Sequence, residues 1–437
     1  MKKHLILGAL LSVALLGISA HAQGLPCCEA GETYTNNDTI GIPPLNNNEG
    51  RLNNNGTLNI NLGGELNNFY GTVKNDGTLT NNIYATLNNF GGYLNNNGTL
   101  TNYGWLTNNN YLTNNGTLNN DDELKNFAGG RLENNVTLNN NDTLINQGQL
   151  YNNGTLNNFG TLTNYEYLVT NYPFPRYLGG LSHDLANSST LFTELAATLN
   201  NYGTLNNGAL IENGFFNYDA YLNNGWKLNN LGTLTNNAGS AMASNYLYNT
   251  GLLINKGTLS NGGTLTNNDT LNNTGTLDNA GTLDNQVGGT LTSTGTLTND
   301  GIIFVTGGTV DATTIDNNGI FNFTGGTLSV DTFNGDLDNT GGFLSPGNSP
   351  GTTNIVGNYS QDEFSTMLIE IAGTMAGSEY DVVDVTGDTS LDGTLRLDLL
   401  DGFAPVIGDA FVILESANIL GAFDGIYSTT ALGEGLR

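Results

Sequence analysis

The sequence predicts an all-β fold: a parallel β-helix, or β-solenoid, with three short strands per coil, closed by a C-terminal all-β cap. Three observations carry this. Leucines recur every six residues, irregular stretches of the same pattern repeat every 21, and glycine with asparagine fills the gaps between leucines. Six does not suit a helix, because its 3.6-residue turn would scatter such leucines around the helix and leave no single apolar face. Glycine and asparagine in every unit also oppose helix.

The hexads run through Leu94, Leu100, Leu106, Leu112, Leu118 and Leu124, and again from Leu132 to Leu168. A third run extends from Leu253 to Leu283, and Phe216, Leu222, Leu228 and Leu234 bridge the interval. The unit reads G-T-L-x-N-x, as in Gly154-Thr155-Leu156-Asn157-Asn158-Phe159. Strand alternation points Leu inward, with Thr and the residue after Leu outward. Asn two places after Leu returns to the inner side, where its amide can bond backbone or the Asn of the next coil. Gly or Asn at the corner is expected to supply a left-handed conformation. Disorder is the alternative for so biased a composition. It does not require an apolar residue in fixed register.

The number of strands per coil follows from the irregular steps. From Leu58 the core positions are Leu66, Val73, Leu79, Leu87, Leu94 and Leu100, with steps of 8, 7, 6, 8, 7 and 6. Gly-Gly pairs beginning at Gly288, Gly307, Gly325 and Gly341 are 19, 18 and 16 apart. Both patterns imply three strands per 18–21-residue coil, with one corner wider than the others. Stacked coils cover one another's strand edges.

Four regions result: a signal peptide over residues 1–22, an N-terminal cap or leader over 23–45, β-helix repeats over 46–343, and a C-terminal cap over 344–437. The signal peptide reads from Lys2-Lys3, the apolar run Leu5 to Ile18, and Ala20-His21-Ala22. The apolar run is short for a membrane span. Inside the repeats, residues 169–198 are expected to form an irregular insertion. Pro173 and Pro175 oppose strand pairing there, and Leu181 to Leu199 has some helical spacing. In the C-terminal region the asparagines thin out. Leu395, Leu397 and Leu399 alternate with Arg396 and Asp398, and Asp392-Gly393 reads as a hairpin turn.

Composition narrows the function. Eleven Lys plus Arg face 39 Asp plus Glu, a formal net charge of −28. Removing Lys2 and Lys3 leaves 9 − 39 = −30, which argues against nucleic-acid binding. His4 and His21 lie in the targeting segment, so His183 alone remains for histidine chemistry. Cys27 and Cys28 are adjacent and cannot staple distant segments.

The C-terminal region also carries an ordered run of motifs. It comprises Leu344-Ser-Pro-Gly-Asn-Ser-Pro-Gly-Thr352, Val356-Gly-Asn-Tyr359, Ile369-Glu-Ile-Ala-Gly373, Tyr380-Asp381, Gly393-Thr-Leu395 and Gly408 to Leu414. This run resembles the C-terminal segment of autotransporter passenger domains and related exported bacterial β-helix adhesins. The resemblance implies a surface-exposed or secreted passenger, often adhesive, whose C-terminal segment nucleates folding outside the cell. The chain departs from that family in one respect. After Leu414 come 437 − 414 = 23 residues, too few for a membrane barrel of eight strands. An outer-membrane translocator would have to lie on a separate or missing segment.

Some β-helices are polysaccharide lyases or hydrolases, which need clustered carboxylates with a cationic or metal partner. Here the acids are scattered. Asp278 and Asp284 are expected on the solvated surface, and Asp381, Asp384 and Asp388 are a weak candidate for calcium. Outward threonines could form flat ladders facing water. Tyr103, Trp105, Tyr111, Tyr165, Tyr167 and Trp226 fall near corners or outward positions, where they would either stack on sugars or pack against corners. No catalytic, cofactor-binding or metal-binding residue is assigned. The expected function is non-enzymatic adhesion to a host-cell, matrix or glycan surface. The alternative is a polysaccharide-active enzyme on the same scaffold.

Overall fold

The computed structural model describes residues 29–428, apart from Gly31 and residues 43–45, 165–189, 194–197, 202–203, 208–220, 232, 237–240 and 348–349. Residues 1–22, both cysteines, His183, Leu168 and Phe216 lie outside the described residues. Among the described residues there is no helix, and strands stack in parallel as a β-solenoid of about 19 residues per turn.

One coil shows the construction. Arg51–Asn54, Thr57–Ile60 and Glu65–Asn68 form its first, second and third faces. Each pairs with the strand three places further on: Leu52 with Val73, Leu58 with Leu79, Leu66 with Leu87. The period is 21 from Val73 to Leu94, 18 from Leu94 to Leu112, and 20 from Leu112 to Leu132. The three-strand coil expected from the 8-7-6 steps is therefore present.

In the four-residue strands of the hexad coils, such as Tyr93–Asn96, Thr99–Asn102 and Trp105–Asn108, the second and fourth residues are buried and the first and third face outward. Leu occupies the second position and Asn the fourth. The hexad leucines from Leu94 to Leu162 and from Leu253 to Leu283 are all buried. Each contributes about 1.5–3 kcal/mol on leaving water. The buried asparagines form continuous ladders. Asn54 Nδ2 donates to Asn75 Oδ1 at 2.6 Å, and Asn75 to Asn96 and Asn96 to Asn114 at 2.7 Å. The second hydrogen of each amide reaches the backbone around the corner, as from Asn54 to Thr78 O at 2.8 Å. Parallel ladders run through Asn81, Asn102, Asn120 and Asn140, and through Asn68, Asn89, Asn108 and Asn126. An amide suits this place because it offers both a donor and an acceptor to identical neighbours.

The corners differ from expectation in their physics. At the two-residue corners Gly56, Gly77, Gly98 and Gly116 do not have positive φ. Glycine is there because coils stack tightly: a Cβ on Gly98 would lie 2.1 Å from Gly77 O. Left-handed glycines occur at the wide corners instead, with φ +68 at Gly63, +89 at Gly129 and +89 at Gly288. All four Gly-Gly pairs sit at the corner between second and third faces, preceding Thr290, Thr309, Thr327 and Phe343, which stack in register. The wide corner is not confined to that edge, since residues 127–130 widen the corner between third and first faces.

Two further expectations change. Part of the proposed insertion is solenoid: Thr190–Thr193 pairs with Gln149–Asn152, and Thr198–Asn201 with Thr155–Asn158. Leu191 and Leu199 thus belong to strands, not to a helical pattern, and residues 165–189 lie outside the described residues. The C-terminal region is all-β as expected, but Asp392-Gly393 is not a hairpin. Asp388–Leu391 and Thr394–Leu399 are successive faces of one coil, each pairing in parallel with strands of neighbouring coils. Gly393, at φ +64, turns a corner rather than reversing the chain.

Candidate functional site

With Leu and Asn turned inward, the outer surface consists of the first and third positions of each strand, repeated in register. On the second face this produces an unbroken threonine column: Thr39, Thr57, Thr78, Thr99, Thr117, Thr137 and Thr155. Beside it runs an external amide ladder, Asn157 to Asn139 to Asn119, at 2.9 Å per step. Another follows the corner through Asn153, Asn135, Asn115 and Asn97. Such ladders order the surface without creating a pocket.

Among the described residues four ion pairs form, each within a strand or at its corner. Lys125 with Glu123 (3.0 Å), Arg131 with Glu133 (3.0 Å) and Arg396 with Asp398 (2.7 Å) are two residues apart, so both partners lie on one outer face. The Arg131 guanidinium also lies 4.3 Å from the centre of the Tyr151 ring. Among the described residues no group of three His, Cys, Asp or Glu side chains could hold a metal ion.

The predicted residues are placed as follows. Asp278 and Asp284 stand at outward positions on consecutive strands, Thr276–Asn279 and Thr282–Asn285. They belong to adjacent faces and do not stack. Asp381, Asp384 and Asp388 do not form a cation site: Asp384 and Asp388 are exposed, and Asp381 is fully buried. Asp381 Oδ1 accepts from Gly351 N–H at 2.7 Å and Oδ2 from Glu370 N–H at 2.8 Å. It thereby ties a loop to a strand. Burial pushes its carboxyl pKa up to about 7. Tyr103, Trp105 and Tyr111 are exposed, and Tyr111 stacks on Tyr93 at 5.4 Å. Trp226 lies in the strand Tyr221–Asn230, while Tyr165 and Tyr167 lie outside the described residues.

Two surface features escape the hexad reading. The first is a cleft of about 430 Å³ lined by Asn317, Ile320, Phe321, Asn322, Asp336 and Asp338. It lies where Ile320–Asn334 meets Leu337–Asn339 through a single paired position, Phe323 with Asn339. Both carboxylates are braced to the following coil, Asp336 by Asn358 and Asp338 by Ser360. The second is a concentration of exposed apolar side chains along the third face of the early coils. Leu62, Ile83, Tyr84, Tyr103 and Trp105 border one side, and Tyr70 and Phe90 the other. The signal for this cluster is in the sequence, at the four-residue corners. These read Asn61-Leu-Gly-Gly64, Asn82-Ile-Tyr-Ala85, Phe127-Ala-Gly-Gly130 and Gln286-Val-Gly-Gly289, with tyrosine in one third position where the others have glycine. Comparison with known protein families and with curated proteins finds no match for this chain.

Proposed function

We propose that this chain is an exported, non-enzymatic surface or secreted protein, an adhesin or structural passenger that acts through an extended repeated surface. The observation that carries the reading is the register of the outer columns, above all seven threonines in line on one face. Near-equivalent sites at each coil favour many weak contacts with a host-cell, matrix or glycan surface, whose strengths combine when they are engaged together. The acidic balance disfavours polyanionic surfaces. Export rests on the targeting pattern of residues 1–22.

The test is cell and matrix binding by variants from which whole coils are removed in register, such as the 18 residues from Thr99 to Gly116. Binding that falls stepwise with coil number supports the reading. Binding retained by residues 165–189 alone, with the coils inert, rejects it. The mature N-terminus should be Gln23, and a product retaining Met1 would reject export.

A further inference from the structure

Four corners of this solenoid share one turn. In each the fourth residue's N–H donates to the carbonyl of the first: Gly64 to Asn61 at 2.7 Å, Ala85 to Asn82 at 2.9 Å, Gly130 to Phe127 at 2.8 Å and Gly289 to Gln286 at 2.8 Å. The third residue carries positive φ, as in a type II turn, which favours glycine. Gly63, Gly129 and Gly288 obey the rule. Tyr84 breaks it, with φ +59 and 68% of its surface exposed. A bulky side chain in the left-handed region carries strain, and here it gains little burial in return. Strain without a folding reason is a marker of function.

Tyr84 is not isolated. Along the same edge lie Leu62, Ile83, Tyr103 and Trp105, all exposed. Across the face, Phe69 and Phe90 stack at 5.4 Å, and Tyr70 is 81% exposed beside Gly91. The floor between these edges is a four-residue strand wide, about 13 Å, and its three coils rise by about 10 Å. Half-buried Thr107 and Asn88 and buried Asn67 form a polar chain along it. Thr107 Oγ1 donates to Asn88 Oδ1 at 2.5 Å, and Asn88 Nδ2 donates to Asn67 Oδ1 at 2.7 Å. The charged pair that follows, Lys125 with Glu123, neutralises itself.

We propose that the third face over residues 61–107 is a binding site for a neutral glycan chain, with Tyr84 and Trp105 as its aromatic contacts. The chemistry of the lining selects this ligand. Aromatic rings stack on the apolar C–H faces of sugar rings, and amides with a hydroxyl bond sugar hydroxyls in either direction. A polyanion would meet Glu65 on the floor and a net charge of −28 on the whole chain. The proposal deepens the adhesive reading above by naming a ligand class and a place.

The test uses the full chain, titrated with a panel of neutral oligosaccharides (β- and α-linked glucose, N-acetylglucosamine and xylose series), with polygalacturonate as the charged comparison. At least one neutral series should bind. Tyr84→Gly and Trp105→Thr should each weaken it tenfold or more, whereas Tyr246→Thr, at an exposed aromatic of a later coil, should leave it unchanged. The thermal midpoint of Tyr84→Gly should be equal to or above the parent's, because the turn's strain is relieved. The proposal is overturned if no neutral series binds, if only polygalacturonate binds, if the two variants bind normally, or if Tyr84→Gly lowers the midpoint. Sedimentation showing self-association that Tyr84→Gly abolishes would also overturn it, making the patch a contact between copies. Glycan binding without any cell adhesion would instead reject the wider adhesive reading and leave this site standing.

Discussion

The coils between Arg51 and Asn164 and those after Leu344 solve the same stacking problem differently. In the first set the interior is Leu plus Asn repeated, and the amide ladders hold each coil to the next at nearly identical geometry. Corners there need only two to four residues. In the second set the interior carries Ile355, Tyr359, Met367, Ile369 and Val383, and the ladders give way to individual contacts. Gln361 Nε2 donates to Asp392 O at 2.8 Å, and Tyr359 donates its hydroxyl proton to Gln361 Oε1 at 2.9 Å. The register there advances by about 30 residues, as from Tyr359 to Thr389, because loops project between strands. A ladder of identical amides tolerates little variation from coil to coil. A core of individually fitted side chains allows the loops to differ.

That contrast can be broken most sharply at a ladder rung. Asn120→Ala removes the acceptor for Asn102 and the donors to Asn140 and Thr143 O. With buried partners orphaned at about 1–3 kcal/mol each, the local cost should be about 2–6 kcal/mol, read as lost amide-exchange protection over the adjoining coils. Protection unchanged there would mean that leucine packing alone holds the register. Leu118→Ala should cost about 2–5 kcal/mol in urea denaturation, since a fully buried site must keep or collapse a cavity.

Asp381 separates the two regions by pH. Its carboxyl is raised from the ordinary value to about 7 in the folded chain, so folding favours its protonated form. The stability it lends is fully present below about pH 4 and is lost as pH rises from there through 7. Amide exchange in the C-terminal coils should therefore slow at pH 5 relative to pH 8 after correction for intrinsic rates. The ladder coils serve as the internal reference. Asp381→Asn should remove that difference, and a difference that persists in the variant would assign it to other carboxylates. The smallest effect is expected at Thr117, an outward member of the threonine column: Thr117→Ala should shift stability by no more than about 0.5 kcal/mol. A larger loss would show that the outer columns, and not only the inner ladders, hold the coils together.

Much of the ladder region could be read from residue spacing because one short rule is repeated many times. Leu must be inward if the strand alternates, and Asn two places later must then be inward as well. Each hexad repeats the same inference, so local ambiguity cancels. The C-terminal coils offer no such repetition. Asp392-Gly393 carries the same local signature whether a chain reverses or turns a corner, and only the parallel partners of Thr394–Leu399 distinguish the two. The resumption of strand at Thr190 was hidden for a related reason. One degenerate unit beside two prolines is indistinguishable from loop until Gln149–Asn152 is seen beneath it.

The exposed aromatic cluster was half legible. Its aromatics are plain in the chain, but neighbours such as Phe69 and Phe90 lie 21 residues apart and meet only when coils stack. The strain at Tyr84 is invisible without a backbone angle. Spacing by itself thus determined the strand, its inward faces and the three-sided coil, because alternation and burial act within a few residues. Which corner widens, where the chain resumes its path and which outward side chains share a face were settled only by the stacked structure. These depend on contacts between residues about one coil apart, and no local pattern encodes the register of that contact.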